Sequence, residues 1–177
     1  MGAALGGAAV VSSALAARGA LASGAHAHSF EWAGIFETPD DAYVWQAEKV
    51  KDQYADATMK MVIYAETAAG HEELEAREDA GDAALETTCT KVERNSVLTP
   101  GNVCVKLQFD NAWHTSSFKI DTTGVAAVSI FAEHVPTEFE RDTHYLKDLH
   151  GDDVEPKASL PEASTVSESK SKPWANA

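Results

Sequence analysis

Between Ser29 and His134, apolar side chains recur mostly at every second position, in short runs broken by Pro, Gly and Asp. This period is the mark of β-strands that turn alternate residues to opposite faces. "SFEWAGIFE" places Phe30, Trp32 and Gly34 on one side before reaching Ile35 and Phe36, and the turn Thr38-Pro39-Asp40-Asp41 follows it. "AYVWQAEKV" sets Tyr43, Trp45 and Ala47 against Val44, Gln46 and Glu48, while "TMKMVIYAE" alternates Met59, Met61 and Ile63. "ALETTCTKV", "VCVKLQFD", "TSSFKID" and "GVAAVSIFAEH" complete the series. In the second of these, Val103, Val105, Leu107 and Phe109 share one face, and Cys104, Lys106 and Gln108 the other. The expected fold class is all-β: a mostly antiparallel β-sandwich, immunoglobulin/C2-like in architecture.

Two stretches break the period. "GHEELEARED" is polar throughout and reads as a short exposed helix or an acidic loop. "TEFERDTHYLKDL" spaces Phe139, Thr143, Tyr145, Leu146 and Leu149 as a helix would, which predicts a short C-terminal helix that closes the sandwich. The chain then divides into an Ala-rich segment over 1–27, the sandwich domain over 28–154 and a flexible Ser/Pro/Lys/Glu tail over 155–177. The tail should have no core of its own. Trp174 stands out in it as a docking residue.

The first 25 residues are small, apolar and free of acidic side chains, with Arg18 as their single charge. They are expected to be helical and to serve in targeting, membrane contact or docking. Their apolar run is marginal for a span of ~20 residues, and Gly and Ala add little hydrophobicity. "ASGA" and "AHA" each offer small residues at the −3 and −1 positions of a cleavage site. The segment resembles the lumen-directing part of a plastid thylakoid-transfer peptide, a likeness of signal type. That resemblance implies an exported, oxidising compartment: the thylakoid lumen or another extracytoplasmic face. If retained, such a helix can approach neighbouring helices closely, with Arg18 at its docking end.

Cys89 and Cys104 are the only cysteines. Neither lies in a CxxC, so a thioredoxin-like redox pair and a structural zinc site are disfavoured. Turn residues between them (Asn95-Ser96, Pro100-Gly101-Asn102) suggest a hairpin closed by a disulfide, worth roughly 3 kcal/mol by loop entropy. A bonded pair also points to an oxidising compartment.

Charge narrows the partners. With 14 basic and 28 acidic residues the net charge is −14, and no Lys/Arg cluster exists to neutralise phosphates, so nucleic acid is not expected as a partner.

Seven histidines carry the candidate chemistry. Cleavage after Ala25 would leave His26-Ala-His28 at the amino terminus, where the amine, two amides and the third-position imidazole can bind Cu(II) or Ni(II) in a plane. Cleavage after Ala27 would make His28 terminal, with amine and imidazole together. The "AHAHS" junction then resembles the copper sites of periplasmic copper-binding β-sandwiches and copper-dependent polysaccharide oxygenases, which implies copper oxidase chemistry as the one enzymatic route. His134 and His144 are candidate helpers of such a site. Asp148, one turn beyond His144, is expected to orient it on the C-terminal helix. His150, Asp152 and Asp153 follow in a glycine turn, but "HGDDVEP" lacks EF-hand spacing and no HExxH occurs.

Nucleophile elbows, P-loops, dinucleotide-binding turns and kinase signatures are all missing from the sequence. Trp32, Tyr43, Trp45, Tyr54 and Trp113 permit a third reading, a carbohydrate-binding module, if two rings face solvent in one plane. The expectation from sequence is thus a non-catalytic accessory or scaffolding subunit of a larger, membrane-associated protein complex. A copper or nickel binder is the alternative.

Overall fold

The computed structural model describes residues 28–161. Arg18, His26 and Trp174, and with them the expected N-terminal helix and most of the tail, lie outside the described residues. Among the described residues the protein is mostly β, with two sheets and one α-helix. The strands are β1 (Trp32–Glu37), β2 (Ala42–Glu48), β3 (Thr58–Glu66), β4 (Thr90–Val92), β5 (Val97–Leu98), β6 (Val105–Gln108), β7 (Thr115–Asp121), β8 (Ala127–Ala132), β9 (Leu146–Lys147) and β10 (Ala158–Leu160). Helix α1 (His71–Leu85) lies between β3 and β4, and a 3-10 turn covers Pro136–Phe139. The larger sheet runs β10-β1-β8-β3-β6-β4 and the smaller β5-β7-β2-β9. All neighbours are antiparallel except β4 with β6 and β5 with β7, which are parallel.

The alternation read from sequence places the main core. Trp32, Phe36, Met59, Met61, Ile63, Leu107, Val128 and Ile130 of the larger sheet meet Tyr43, Trp45, Ala47, Phe118 and Ile120 of the smaller one in a single apolar cluster. Trp45 is 1% exposed at its centre. Gly34 is needed on β1: a Cβ there would stand 2.4 Å from the Trp32 indole, which lies back along the strand to reach Trp45 and Tyr145.

The larger sheet is buried on its other face too, and α1 is the reason. Ala33, Ile35, Val62, Tyr64 and Phe131 point away from the main core and pack with Leu74 and Leu85 of α1 in a second cluster. The polar stretch read as an exposed helix or loop is therefore a 15-residue helix with a buried stripe of Leu74, Gly81 and Leu85. Tyr64 Oη donates to the Ala80 carbonyl at 2.9 Å, and the Arg77 guanidinium reaches Glu66 at 2.7 Å, so polar contacts frame that stripe. Gly81 lets the helix sit directly on β8: a Cβ there would meet the Phe131 ring at 2.5–2.9 Å.

That contact yields a first prediction. Gly81→Ala should raise intrinsic helix propensity by about 1 kcal/mol yet lower stability overall, because overpacking typically costs 1–3 kcal/mol and here adds to lost docking. Urea unfolding of Gly81→Ala, Phe131→Leu and the double variant checks it. Relief of the clash should leave the double variant more stable than the two separate losses sum to.

Two expectations need correction. The cysteines do bond, with Cα atoms 4.6 Å apart, but not across a hairpin. The chain between them carries β5 into the smaller sheet beside β7, so β4 and β6 end up parallel neighbours and the bond joins their first ends. The C-terminal helix is also not formed. Only Pro136–Phe139 is helical, and the chain then passes through successive bends into β9. Backbone N–H groups of Arg141, Asp142 and Thr143, which a helix would have turned inward, all donate to the Glu48 carboxylate at 3.1, 2.8 and 3.0 Å. Glu140 meanwhile accepts from the Tyr145 N–H at 2.7 Å. Phe139, Tyr145 and Leu146 still reach the main core, each from extended or turn backbone instead of one helix face.

Candidate functional site

The structure separates His28, His134 and His144, the described members of the histidine group read from the sequence. His28, just before β1, packs against α1, with Nε2 3.2 Å from a Glu78 carboxylate oxygen and Nδ1 4.0 Å from Asp82, and its ring against Phe30. The Ser29 N–H donates to Asp82, which pins this entry to β1 on the helix. His144 is largely buried and occupied at both nitrogens: Nδ1 is 2.8 Å from Glu140 and Nε2 3.2 Å from the Val154 carbonyl. Its carboxylate partner is thus Glu140, not Asp148 as expected. Asp148 instead accepts the N–H groups of Asp152 and His150, and these donations hold its carboxyl below the ordinary carboxylate range. Gly151 at φ +88° makes that turn possible.

Asp148 and Asp153 line an open recess with Glu37, Pro39, Asp40, Tyr43, Glu155 and Lys157. Its carboxylates far outnumber its one lysine, and that lysine pairs with Glu37 at 2.9 Å. Lys147 binds Asp153 and keeps its carboxyl ionised below the usual range. The recess presents negative charge to solvent.

His134 has different company. Its ring stands between carboxylates, Nδ1 3.7 Å from Glu31 and Nε2 3.6 Å from Asp56. Glu138, on the 3-10 turn, completes a group with Glu31 and His134 in which one ligand atom of each lies within 4.8 Å of the others. Among the described residues no histidine other than His134 joins a group of three that could hold a metal ion. The Glu138 spacing, four residues after His134, was visible in the sequence. Glu31 and Asp56 carried no signal, because strand pairing alone brings them near.

The aromatic inventory resolves just as plainly. Trp32, Tyr43, Trp45 and Tyr54 are buried, and Trp113 is the one exposed aromatic among the described residues, at 53%. No solvent-facing pair of rings is left there for a sugar to stack upon. The Arg94 guanidinium lies over the Trp113 ring at 4.3 Å, with its Nε 3.9 Å from Asp110 and without a hydrogen bond. The backbone beneath is tied down: the Trp113 carbonyl accepts from Tyr54 Oη at 3.1 Å, and its N–H donates to the Asp110 carbonyl at 2.9 Å. Sequence reasoning had Trp113 as a possible sugar contact and missed Arg94 as its partner.

Among the described residues no helix is long and apolar enough to cross a membrane. The disulfide fits an oxidising compartment. Neither known protein families, nor curated proteins, nor solved structures give a match to this chain.

Proposed function

We propose that this chain is a β-sandwich of immunoglobulin/C2-like layering that acts as a non-catalytic accessory subunit of a larger, membrane-associated protein assembly. Its place would be an exported face, with the thylakoid lumen the compartment that the Ala-rich N-terminal segment suggests. The observation that carries the reading is the Trp113–Arg94 pair. A fold that buries its other described aromatics holds one tryptophan outside, on anchored backbone, with an arginine stacked on it. Trp and Arg are the residues that dominate binding energy at protein interfaces, and a pre-ordered ring loses little entropy on docking. The net charge of −14 favours a partner with a basic surface. Arg18 and Trp174 would add contacts from the two ends of the chain.

The test is sedimentation of the native membrane fraction, with the chain followed by antibody. Wild type should travel in an assembly well above its own 18.9 kDa. Trp113→Ala should release it, since truncating such an anchor costs about 2 kcal/mol or more, roughly thirtyfold in affinity. Its melting temperature should hardly move, because the ring contributes little to the core. Wild-type chain sedimenting alone would overturn the proposal.

A further inference from the structure

We propose that Glu31, His134 and Glu138 form a site for a first-row divalent cation, with Zn²⁺ the ion whose chemistry fits them best. This site is independent of the subunit reading and uses neither His26 nor His28. One imidazole nitrogen and two carboxylate oxygens are a mixed donor set of the kind Zn²⁺ takes at 2.0–2.2 Å, with the fourth position left to water. Tetrahedral ligands at that radius lie about 3.4 Å apart. The three donors already lie within 4.8 Å of one another, so rotation of the two exposed glutamates would close the set.

Two features make this more than a chance meeting of acids. First, the ligands come from elements that the fold locks together. β1 and β8 pair at Trp32↔Ala132, and the Glu31 N–H donates to the Ala132 carbonyl at 3.1 Å, which fixes Glu31 beside the chain leading to His134. The His134 ring then packs near Phe139 of the 3-10 turn that carries Glu138. Second, His134 has a carboxylate behind it. Asp56 faces Nε2 at 3.6 Å, while its other oxygen is held by the Thr58 N–H at 3.2 Å. Metal-bound histidines commonly direct the far ring N–H to a carboxylate, which fixes the tautomer and leaves the near nitrogen free to ligate. Here that arrangement gives Nδ1, the nitrogen on the Glu31 side, to the ion.

Charge supports the same conclusion. Three carboxylates surround one imidazole, and the neighbouring Lys60 is engaged by Glu133 at 3.5 Å. Among the described residues no lysine or arginine pairs with Glu31 or Glu138. A divalent ion would supply the missing positive charge.

The experiment is calorimetric titration of the metal-free full chain with Zn²⁺ near neutral pH. One ion should bind per chain. His134→Ala, and separately Glu31→Gln combined with Glu138→Gln, should remove that binding. Asp56→Asn, which leaves the ligands in place, should weaken it about 10–100-fold. His26→Ala combined with His28→Ala should leave it unchanged. Near-UV circular dichroism checks folding. If His134→Ala does not fold, the Glu31→Gln/Glu138→Gln variant decides the matter, because both side chains project from the surface. The proposal falls if wild type shows no saturable binding, or if binding survives both ligand variants, or if it vanishes with the two N-terminal histidines.

Discussion

Replacing Cys89 and Cys104 together by alanine is expected to lower the unfolding free energy by about 3 kcal/mol, the chain-entropy value for a closed loop of this length. For a chain of this size the melting temperature should fall by roughly 6–12 °C. The bond matters beyond the unfolded state, because of what it encloses. β4 and β5 are three and two residues long, and each pairs in parallel with one longer strand. Such short edge pairings hold little stability of their own. The disulfide ties the start of β4 to the buried Cys104 beside the α1 cluster. Scanning calorimetry of the double variant, and of wild type with and without reductant, should give the same loss. Hydrogen exchange should rise first between residues 89 and 104. An unchanged melting temperature would mean that packing alone holds these edges.

The second large effect is expected at Glu48. This carboxylate is 4% exposed, has no lysine or arginine partner among the described residues, and is held by three backbone N–H groups. Glu48→Ala would leave those part-buried donors without their acceptor, at a cost of about 1–3 kcal/mol. The segment from Arg141 to Tyr145 should then become sensitive to protease, a local readout that general destabilisation would not single out. Acid should act on the same contact. Burial raises the Glu48 pKa, but the N–H donations from Asp142, Thr143 and Arg141 outweigh it and hold the carboxyl below its ordinary value of 4.5. A folded-state pKa below the unfolded one contributes stability that is complete above about pH 4.5 and fades as pH falls through the lower folded value. Urea midpoints between pH 6 and pH 3 should therefore drop more steeply for wild type than for Glu48→Ala. Parallel curves would show that other carboxylates carry the acid response.

Glu48 also explains where sequence reading stopped. Of the five residues spaced as a helical face, Phe139, Tyr145 and Leu146 are buried, while Thr143 is half-buried and Leu149 is exposed, so the pattern reported burial only in part. It reported the wrong backbone because an acceptor 93 to 95 residues away, on β2, takes the N–H groups of residues 141–143. In α1 the failure ran the other way. Its apolar stripe is only Leu74, Gly81 and Leu85 among many carboxylates, and a glycine that enables close packing has no hydrophobic signature.

The sequence by itself determined the long strands β1, β2, β3, β7 and β8, the inward faces of β2 and β3, and the cysteines that would bond. These follow from side-chain alternation and composition, which are local. The alternation set Phe30 beside Trp32, but Phe30 packs in the second cluster behind the larger sheet. Tertiary structure alone decided that α1 covers the back of the larger sheet, that residues 140–145 bend around the Glu48 carboxylate instead of forming a helix, and which charged groups become neighbours. Glu31 and His134 meet because β1 and β8 pair at Trp32↔Ala132, and Arg94 meets Trp113 because the turns before β5 and β7 share an end of the smaller sheet. The physical reason is one of range. Burial of an apolar face is encoded every second residue, whereas the partner of a carboxylate or a guanidinium depends on strand register between segments far apart in the chain.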